Sequence, residues 1–155
     1  MKANVEFLLF ILLIAVFSAA VILAFVLFAF NGENKTLPKS ELTIGGKVLS
    51  IEVARSAIEK TQGLSGRDSL RSDGMLFIFD KEGNHGFWMK DMKFPIDIVW
   101  INNGKVVGFS ENAMPEPDKQ VWALKIYYPS DVADSVLEVN AGFVAANKIR
   151  VEDEV

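Results

Sequence analysis

The segment from Phe87 to Asp97 combines aromatic, thioether and charged side chains in a single short stretch. Within it, Trp88 offers a flat apolar surface and Lys90 a cation. Asp97 lies among the apolar residues Ile96 and 98–101, a run that predicts a strand buried on both faces. Because a buried carboxylate without a partner is costly, we expect Asp97 to bind backbone amides or a cation such as Arg67 or Lys90.

These residues leave three hypotheses open. The first is a ligand-binding cleft with an apolar platform and a few charged groups that orient the ligand. The second is a hydrolase in which Asp97 and Glu138 form an acid/base pair, since two carboxylates at a suitable separation suffice for glycoside chemistry. The third is structural, with a buried ion pair that holds Asp97 to the Arg67 loop. The candidate ligand-binding residues are Arg67, Trp88, Met89, Lys90, Asp97 and Glu138.

The composition argues against several other classes of function. The chain has no cysteine, which excludes disulfides, thiolate metal sites and cysteine nucleophiles. His85 is the only histidine, and no cluster of carboxylates with metal-ligand spacing accompanies it, so we expect neither a metal nor another cofactor. No motif of a known catalytic type is present, which makes an enzyme the less favoured class. The net charge of −4 lacks the basic excess of a nucleic-acid-binding surface.

The rest of the chain after residue 40 has the pattern of a mainly β domain. Gly45-Gly46 and Asn103-Gly104 each separate two apolar segments and predict two-residue hairpin turns. Ser56 and Glu59 have the spacing of a capping box, which predicts a short helix that Gly63 ends. A second short helix is predicted over 141–147. About seven short strands with one or two short helices predict a sandwich-like domain or a small barrel.

The N-terminal segment has a different character. From Phe7 to Phe30 every residue except Ser18 is apolar, and at about 1.5 Å per residue a helix of this length spans a hydrocarbon core of about 30 Å. The run continues beyond Ser18-Ala19-Ala20, so we favour an uncleaved signal anchor over a signal peptide cut near that point. The predicted organisation is a transmembrane anchor over 1–30, a linker over 31–40 and an extracytoplasmic domain over 41–155. The N-terminus is then cytoplasmic, and the chain crosses the cell membrane once.

Six short motifs follow one another in the domain: Gly63-Leu64-Ser65-Gly66-Arg67, Gly74-Met75-Leu76-Phe77, Phe87-Trp88-Met89-Lys90, Pro95-Ile96-Asp97-Ile98, Leu137-Glu138-Val139 and Ala141-Gly142. Together they resemble the motifs of the DUF192 (UPF0127) family. The likeness covers roughly residues 47–155 and departs from the family pattern at Ser65 and at Asp91-Met92. It implies a mainly β, sandwich-like domain, often behind a signal peptide or membrane anchor, and it implies no particular activity.

Together these observations predict a membrane-anchored domain of the cell envelope that binds a small ligand. The bilayer is its expected partner through residues 7–30. The expected ligand is a small polar, carbohydrate-like molecule or a component of the envelope. The hydrolase and a structural partner of an envelope complex remain the alternatives.

Overall fold

The computed structural model describes residues 36–155 together with residues 14, 18 and 20–22. The chain divides into two compact units, Met1–Thr36 and Leu37–Val155. The predicted anchor over 7–30 lies outside the described residues except at those five N-terminal positions. Among the described residues, no helix has the length and apolar character needed to cross a bilayer.

The second unit is built mainly from β-strands. Its first strand begins at Lys39, inside the segment that the sequence assigned to the linker. One α-helix, α1 (Ala57–Gln62), and one 3₁₀ helix (Val121–Ala123) lie between strands, and a second α-helix, α2 (Phe143–Asn147), follows the last strand. The strands are β1 (Lys39–Ile44), β2 (Lys47–Ala54), β3 (Gly74–Gly83), β4 (Phe87–Trp88), β5 (Ile96–Asn102), β6 (Lys105–Ala113), β7 (Ile126–Tyr127) and β8 (Ala133–Asn140).

Six of these strands form one mixed sheet in the order β1-β2-β3-β8-β5-β6, and β4 pairs with β7 in a separate two-stranded ribbon. The sheet is open, since β1 and β6 lie at its two edges. The mainly β class is thus confirmed, but the described residues form neither a closed barrel nor two sheets of similar size. The main sheet also differs from an antiparallel sandwich in its β2–β3 pair, which is parallel and therefore needs a crossover, here through α1, in place of a hairpin.

Both predicted hairpin turns are confirmed. Gly45 and Gly46 have φ of 57° and 72°, and Asn103 and Gly104 have φ of 50° and 72°. Positive φ at both central residues matches the right-handed twist of the flanking strands. The capping box is also confirmed, because the Ser56 side chain accepts a hydrogen bond from the Glu59 amide and the Glu59 side chain accepts one from Ser56.

Each face of the main sheet packs against its own core. The face covered by α2, here called the helix face, contains Val144 and Ile149 beside sheet residues such as Leu137 and Val139. The opposite face, here called the ribbon face, is covered by the ribbon and by the segment after α1. Its core includes Leu64, Met75, Phe77, Met89, Met92, Ile98, Trp100 and Val136, with Phe87 and Tyr127 of the ribbon packed against them.

Candidate functional site

Two buried glutamates lie on the ribbon face. Glu52 on β2 is in register with Met75 on β3, and Met75 is in register with Glu138 on β8. Only 3% of Glu52 and 5% of Glu138 is exposed. Side chains alternate between the faces of a strand, so register places both carboxyl groups on the same face, on either side of Met75.

Arg67 neutralises one of these carboxylates. Its Nη1 donates a hydrogen bond to Glu52 Oε2. The Arg67 side chain is 15% exposed and the Glu52 side chain 4%. The loop that carries Arg67 is held by two backbone bonds, from Arg67 N to Leu64 O (3.2 Å) and from Gly66 N to Asp91 O (2.8 Å). A guanidinium that is fixed in this way and bound to a carboxylate is a structural pair.

Glu138 has no comparable partner. Its Oε2 is buried and makes no hydrogen bond. Burial raises the pKa of the Glu138 carboxyl to about 8, and the nearby Arg67 charge lowers it only in part. Glu138 therefore holds its proton at neutral pH, since loss of solvation penalises the charged form of an acid.

Glu138 lines a cavity of about 220 Å³ on the ribbon face. Aromatic rings supply much of its wall, from Phe77 and Phe79 on β3 and from Phe87 and Trp88 on β4. The other side is formed by residues 60–65, at the end of α1 and in the loop after it. Apolar walls with a few polar groups are typical of small-molecule sites.

A glycine allows the segment after α1 to lie close to the aromatic wall. Gly63 ends the helix with φ of 46°, and a Cβ atom there would lie 3.3 Å from the Phe77 ring. A side chain at this position would be strained by the backbone conformation and crowded by the ring. The predicted helix end at Gly63 thus also sets the width of the cavity.

Three polar side chains that line the cavity, those of Lys60, Gln62 and Ser65, bond to the protein itself. Lys60 Nζ donates to Ile78 O (3.0 Å) and lies 4.8 Å from the centre of the Phe79 ring. Gln62 Nε2 donates to Ser65 O (3.0 Å), and Ser65 Oγ donates to Lys90 O (2.9 Å). Lys60 is the one cation and Glu138 the one acid among the residues that line this cavity.

Asp97 lies on the other side of the sheet. It is fully buried on the helix face, and its carboxylate accepts hydrogen bonds from the amides of Asn112 (2.8 Å) and Val144 (2.9 Å). It therefore binds backbone amides, one of the two partners expected from the sequence, and connects β5 to the start of α2. In register, Asp97 is opposite Val139 and Glu138 is opposite Ile98, so the two carboxyl groups point to opposite faces. The structure does not bring them together as an acid/base pair.

The structure therefore places the six candidate residues in different surroundings. Trp88 and Glu138 line the cavity. Arg67 is not a lining residue, but its charge lowers the pKa of Glu138 in part. Lys90 is directed to Asp91, with which it forms an exposed ion pair, and contributes only its carbonyl near the cavity. Met89 is a buried core residue, 1% exposed. Among the described residues, no group of three or more His, Asp and Glu side chains could hold a metal ion.

Glu52, Lys60 and the phenylalanines of the wall were not among the candidates. Glu52 alternates with Ile51 and Val53, the usual pattern of a residue that faces solvent on a half-buried strand. It is buried because the ribbon face is a second core, and the one available signal was the need of Arg67 for a carboxylate partner.

Comparison with known proteins agrees with this architecture. Residues 40–155 match the DUF192 family, described as "Uncharacterized ACR". The chain belongs to the DUF192 family. No curated protein matches it.

Two solved structures share the fold of this DUF192 member. One is a protein of unknown function from Novosphingobium aromaticivorans, with 26% identity and a TM-score of 0.69 over 79% of this chain and 87% of that one. The other is a Sinorhizobium meliloti protein described as a "putative transcription regulator", with 28% identity and a TM-score of 0.65 over 77% of this chain and 93% of that one. Neither description assigns a ligand, so the function of this chain is argued from the cavity.

Proposed function

We propose that the domain binds a small polar, carbohydrate-like ligand in the Glu138 cavity. The observation that carries this proposal is a buried carboxyl group with a free hydrogen-bonding oxygen, in a cavity with aromatic walls. Buried polar groups normally have partners, and one that lacks a partner beside a cavity is explained most simply by a ligand.

The cavity offers both an apolar surface and a polar group, which suit the apolar C–H face and the hydroxyl groups of a sugar ring. Trp88 is 45% exposed, so part of its indole is available to pack on the apolar C–H face of a ring. Glu138, which is 5% exposed, then offers a buried polar contact in the same cavity. A cavity of about 220 Å³ is small, which favours a single ring over a longer molecule.

The geometry favours binding over hydrolysis. Glycoside hydrolysis normally needs two carboxyl groups on either side of the scissile bond. Asp97 points to the opposite face, and the Glu52 carboxylate is bound to Arg67. Glu138 is left as the single free carboxyl of the cavity.

We also propose that residues 7–30 anchor the chain in the cell membrane and that the binding domain lies outside the cell. The support is the run from Phe7 to Phe30, which is apolar except at Ser18, contains no charged residue and has the length of a membrane-spanning helix. The ligand is then a molecule of the envelope or of the medium.

A panel of neutral mono- and disaccharides tests the binding proposal, with the thermal stability of the full-length chain as the readout. A ligand that binds only the folded state stabilises it by about 2.7 kcal/mol at a concentration of about 100 Kd, which raises Tm by several degrees. Trp88→Ala should abolish this rise. Because Trp88 is half exposed, the substitution should cost less stability than the roughly 3–5 kcal/mol of a buried tryptophan.

Trp122 provides the matched control. It is 85% exposed and does not line the cavity, so Trp122→Ala should leave the ligand-induced rise in Tm unchanged. No rise with any saccharide, or the same loss of the rise in both tryptophan variants, would overturn the binding proposal.

A further inference from the structure

The charged groups around Glu138 come from three elements, and all are already engaged. On β2, Glu52 accepts the hydrogen bond from Arg67, which is carried by the loop after α1. On α1, Lys60 donates to Ile78 O and lies over the Phe79 ring. Lys60 is the one cation among the described residues that line the cavity, and neither Lys60 nor Arg67 forms an ion pair with Glu138, so the ribbon face carries Glu138 most stably as an un-ionised acid.

An un-ionised carboxyl group has a specific hydrogen-bonding capacity. It presents one O–H donor together with acceptor lone pairs, whereas a carboxylate only accepts. Glu138 lines the cavity, and its Oε2 atom is buried without a hydrogen-bond partner in the protein. A hydroxyl group, which also donates and accepts, satisfies both functions of such a carboxyl.

Resting on the proposed function, we infer that Glu138 binds an uncharged hydroxyl or amide group of the ligand through its un-ionised carboxyl. The cavity then selects neutral ligands over those that place an ammonium or a carboxylate at this position.

Both kinds of charged ligand are disfavoured for physical reasons. An ammonium group would require Glu138 to lose its proton and would bury an ion pair in an aromatic cavity that already has Lys60 at its edge. A carboxylate ligand would bury an anion beside the un-ionised Glu138, while Arg67 is paired with Glu52 and Lys60 donates to Ile78 O. A hydroxyl group on the ligand requires neither the loss of the Glu138 proton nor the burial of a charge.

Matched sugars test this selectivity in the full-length chain. Each series keeps one ring and changes one group: glucose, glucosamine and glucuronate, with the galactose and mannose series alongside. Calorimetric titration at pH 6.5 should show the neutral sugar of the best series binding at least about tenfold more tightly than its charged counterparts. This factor corresponds to deprotonating a group about one pH unit below its pKa.

The pH dependence provides the second readout. Because the pKa of Glu138 is about 8, the affinity for a neutral sugar should be constant at lower pH and should fall about tenfold for each pH unit well above 8. Glu138→Gln keeps a donor and an acceptor but does not titrate, so its affinity should not change over the same range. A third readout needs neither a ligand nor a variant. ¹³C NMR of the glutamate carboxyl groups of the wild-type protein at pH 6.5 should show the Glu138 carboxyl in its protonated form.

The results separate this inference from the proposed function. Tighter binding of an amino sugar or a uronate, affinity that rises with pH, or an ionised Glu138 at pH 6.5 would overturn the inference and leave ligand binding in place. If no sugar of any series binds, the proposed function is overturned and this inference with it.

Discussion

Glu138 should make the stability of the domain depend on pH. Its pKa in the folded protein is about 8, above its ordinary value of 4.5, so the folded chain holds this proton more tightly than the unfolded chain. The stability that the proton contributes is fully present below pH ~4.5 and is lost as the pH rises to about 8. Glu138→Gln removes this titration. Relative to wild type, the variant should therefore gain a few kcal/mol of unfolding free energy between pH 5 and pH 9, at about 1.4 kcal/mol per pKa unit.

Urea unfolding at pH 5, 7 and 9 measures this gain. Glu41→Gln is the matched substitution of an exposed glutamate, on the edge strand β1. Subtracting the pH dependence of this control removes the effect of replacing a glutamate in general. Parallel pH profiles for wild type and Glu138→Gln would show that Glu138 is ionised in the folded protein and would contradict the prediction.

Asp97 should contribute to stability without affecting the ligand. Both of its carboxylate oxygens accept backbone hydrogen bonds, so in Asp97→Asn the amide NH₂ would face an N–H group of Asn112 or Val144. Hydrogen bonds to a charged acceptor contribute about 1.5–3 kcal/mol each, and one of the two is lost. We expect Asp97→Asn to lower the unfolding free energy by about 2–4 kcal/mol while the folded fraction keeps its affinity for the ligand.

Asp91→Asn is the control for this substitution. Asp91 is exposed and has a φ of 54°, a conformation that asparagine adopts readily, and its ion pair with Lys90 is at the surface. Its change in stability should stay within about 0.5 kcal/mol. A loss of affinity without a loss of stability in Asp97→Asn would instead place Asp97 in ligand binding.

At the scale of single residues, the sequence predicted which groups need partners better than it predicted the partners. The apolar surroundings of Asp97 correctly indicated burial, but its partners are amides of residues 112 and 144, distant in sequence. Arg67, which was one candidate partner of Asp97 beside Lys90 and backbone amides, pairs with Glu52 instead. The choice depends on strand register, which places Glu52 and Glu138 on the face that Arg67 reaches.

Among the elements, the β5–β6 hairpin offers the clearest test of local structure. Asn103 and Gly104 both have positive φ, and a Cβ atom at Gly104 would meet only Val155 O, at 3.6 Å. The cost of a side chain there comes from the backbone and not from a clash. Gly104→Val should therefore lower the unfolding free energy by at least about 1–2 kcal/mol, since a β-branched residue strongly resists this conformation.

Lys105→Val serves as the control because it places the same side chain one residue later, at an exposed position in β6. Valine suits a strand, and the exposed Lys105–Glu152 ion pair contributes little. Unfolding in urea compares the two variants. A loss below about 0.5 kcal/mol in Gly104→Val would be the size of an ordinary surface change and would contradict the strained-turn assignment.

Elements with local signals were predicted well, and their pairing was not. The two hairpin turns and the capping box of α1 depend on residues within a few positions of each other. The segment 121–127 forms a 3₁₀ helix and a two-residue strand, because only Ile126 and Tyr127 find a partner, in β4. The parallel β2–β3 pair and the position of β8 between β3 and β5 are long-range contacts that no local pattern indicates.

At the scale of the whole domain, the cavity is a product of this topology. Its wall combines residues 60–65, the β3 and β4 aromatic residues and Glu138, which are separated by up to half of the chain. They meet because β8 inserts beside β3 and because the ribbon folds over the same face. The sequence could identify Trp88 and Glu138 as candidates, but it could not show that they share a cavity that excludes Asp97.

The proposed membrane topology makes a prediction for the full-length chain. The chain contains no cysteine, so single cysteines introduced at Lys2 and at Asp118, an exposed loop residue, can be labelled without background. In intact cells, a membrane-impermeant maleimide should label the Asp118→Cys variant and leave Lys2→Cys unlabelled until the cells are opened, because an anchor over 7–30 places the two positions on opposite sides of the bilayer. Both variants should remain in the membrane fraction after a carbonate wash. Labelling of Lys2→Cys alone would reverse the orientation, and a soluble product that begins near residue 21 would show that the segment is a cleaved signal peptide.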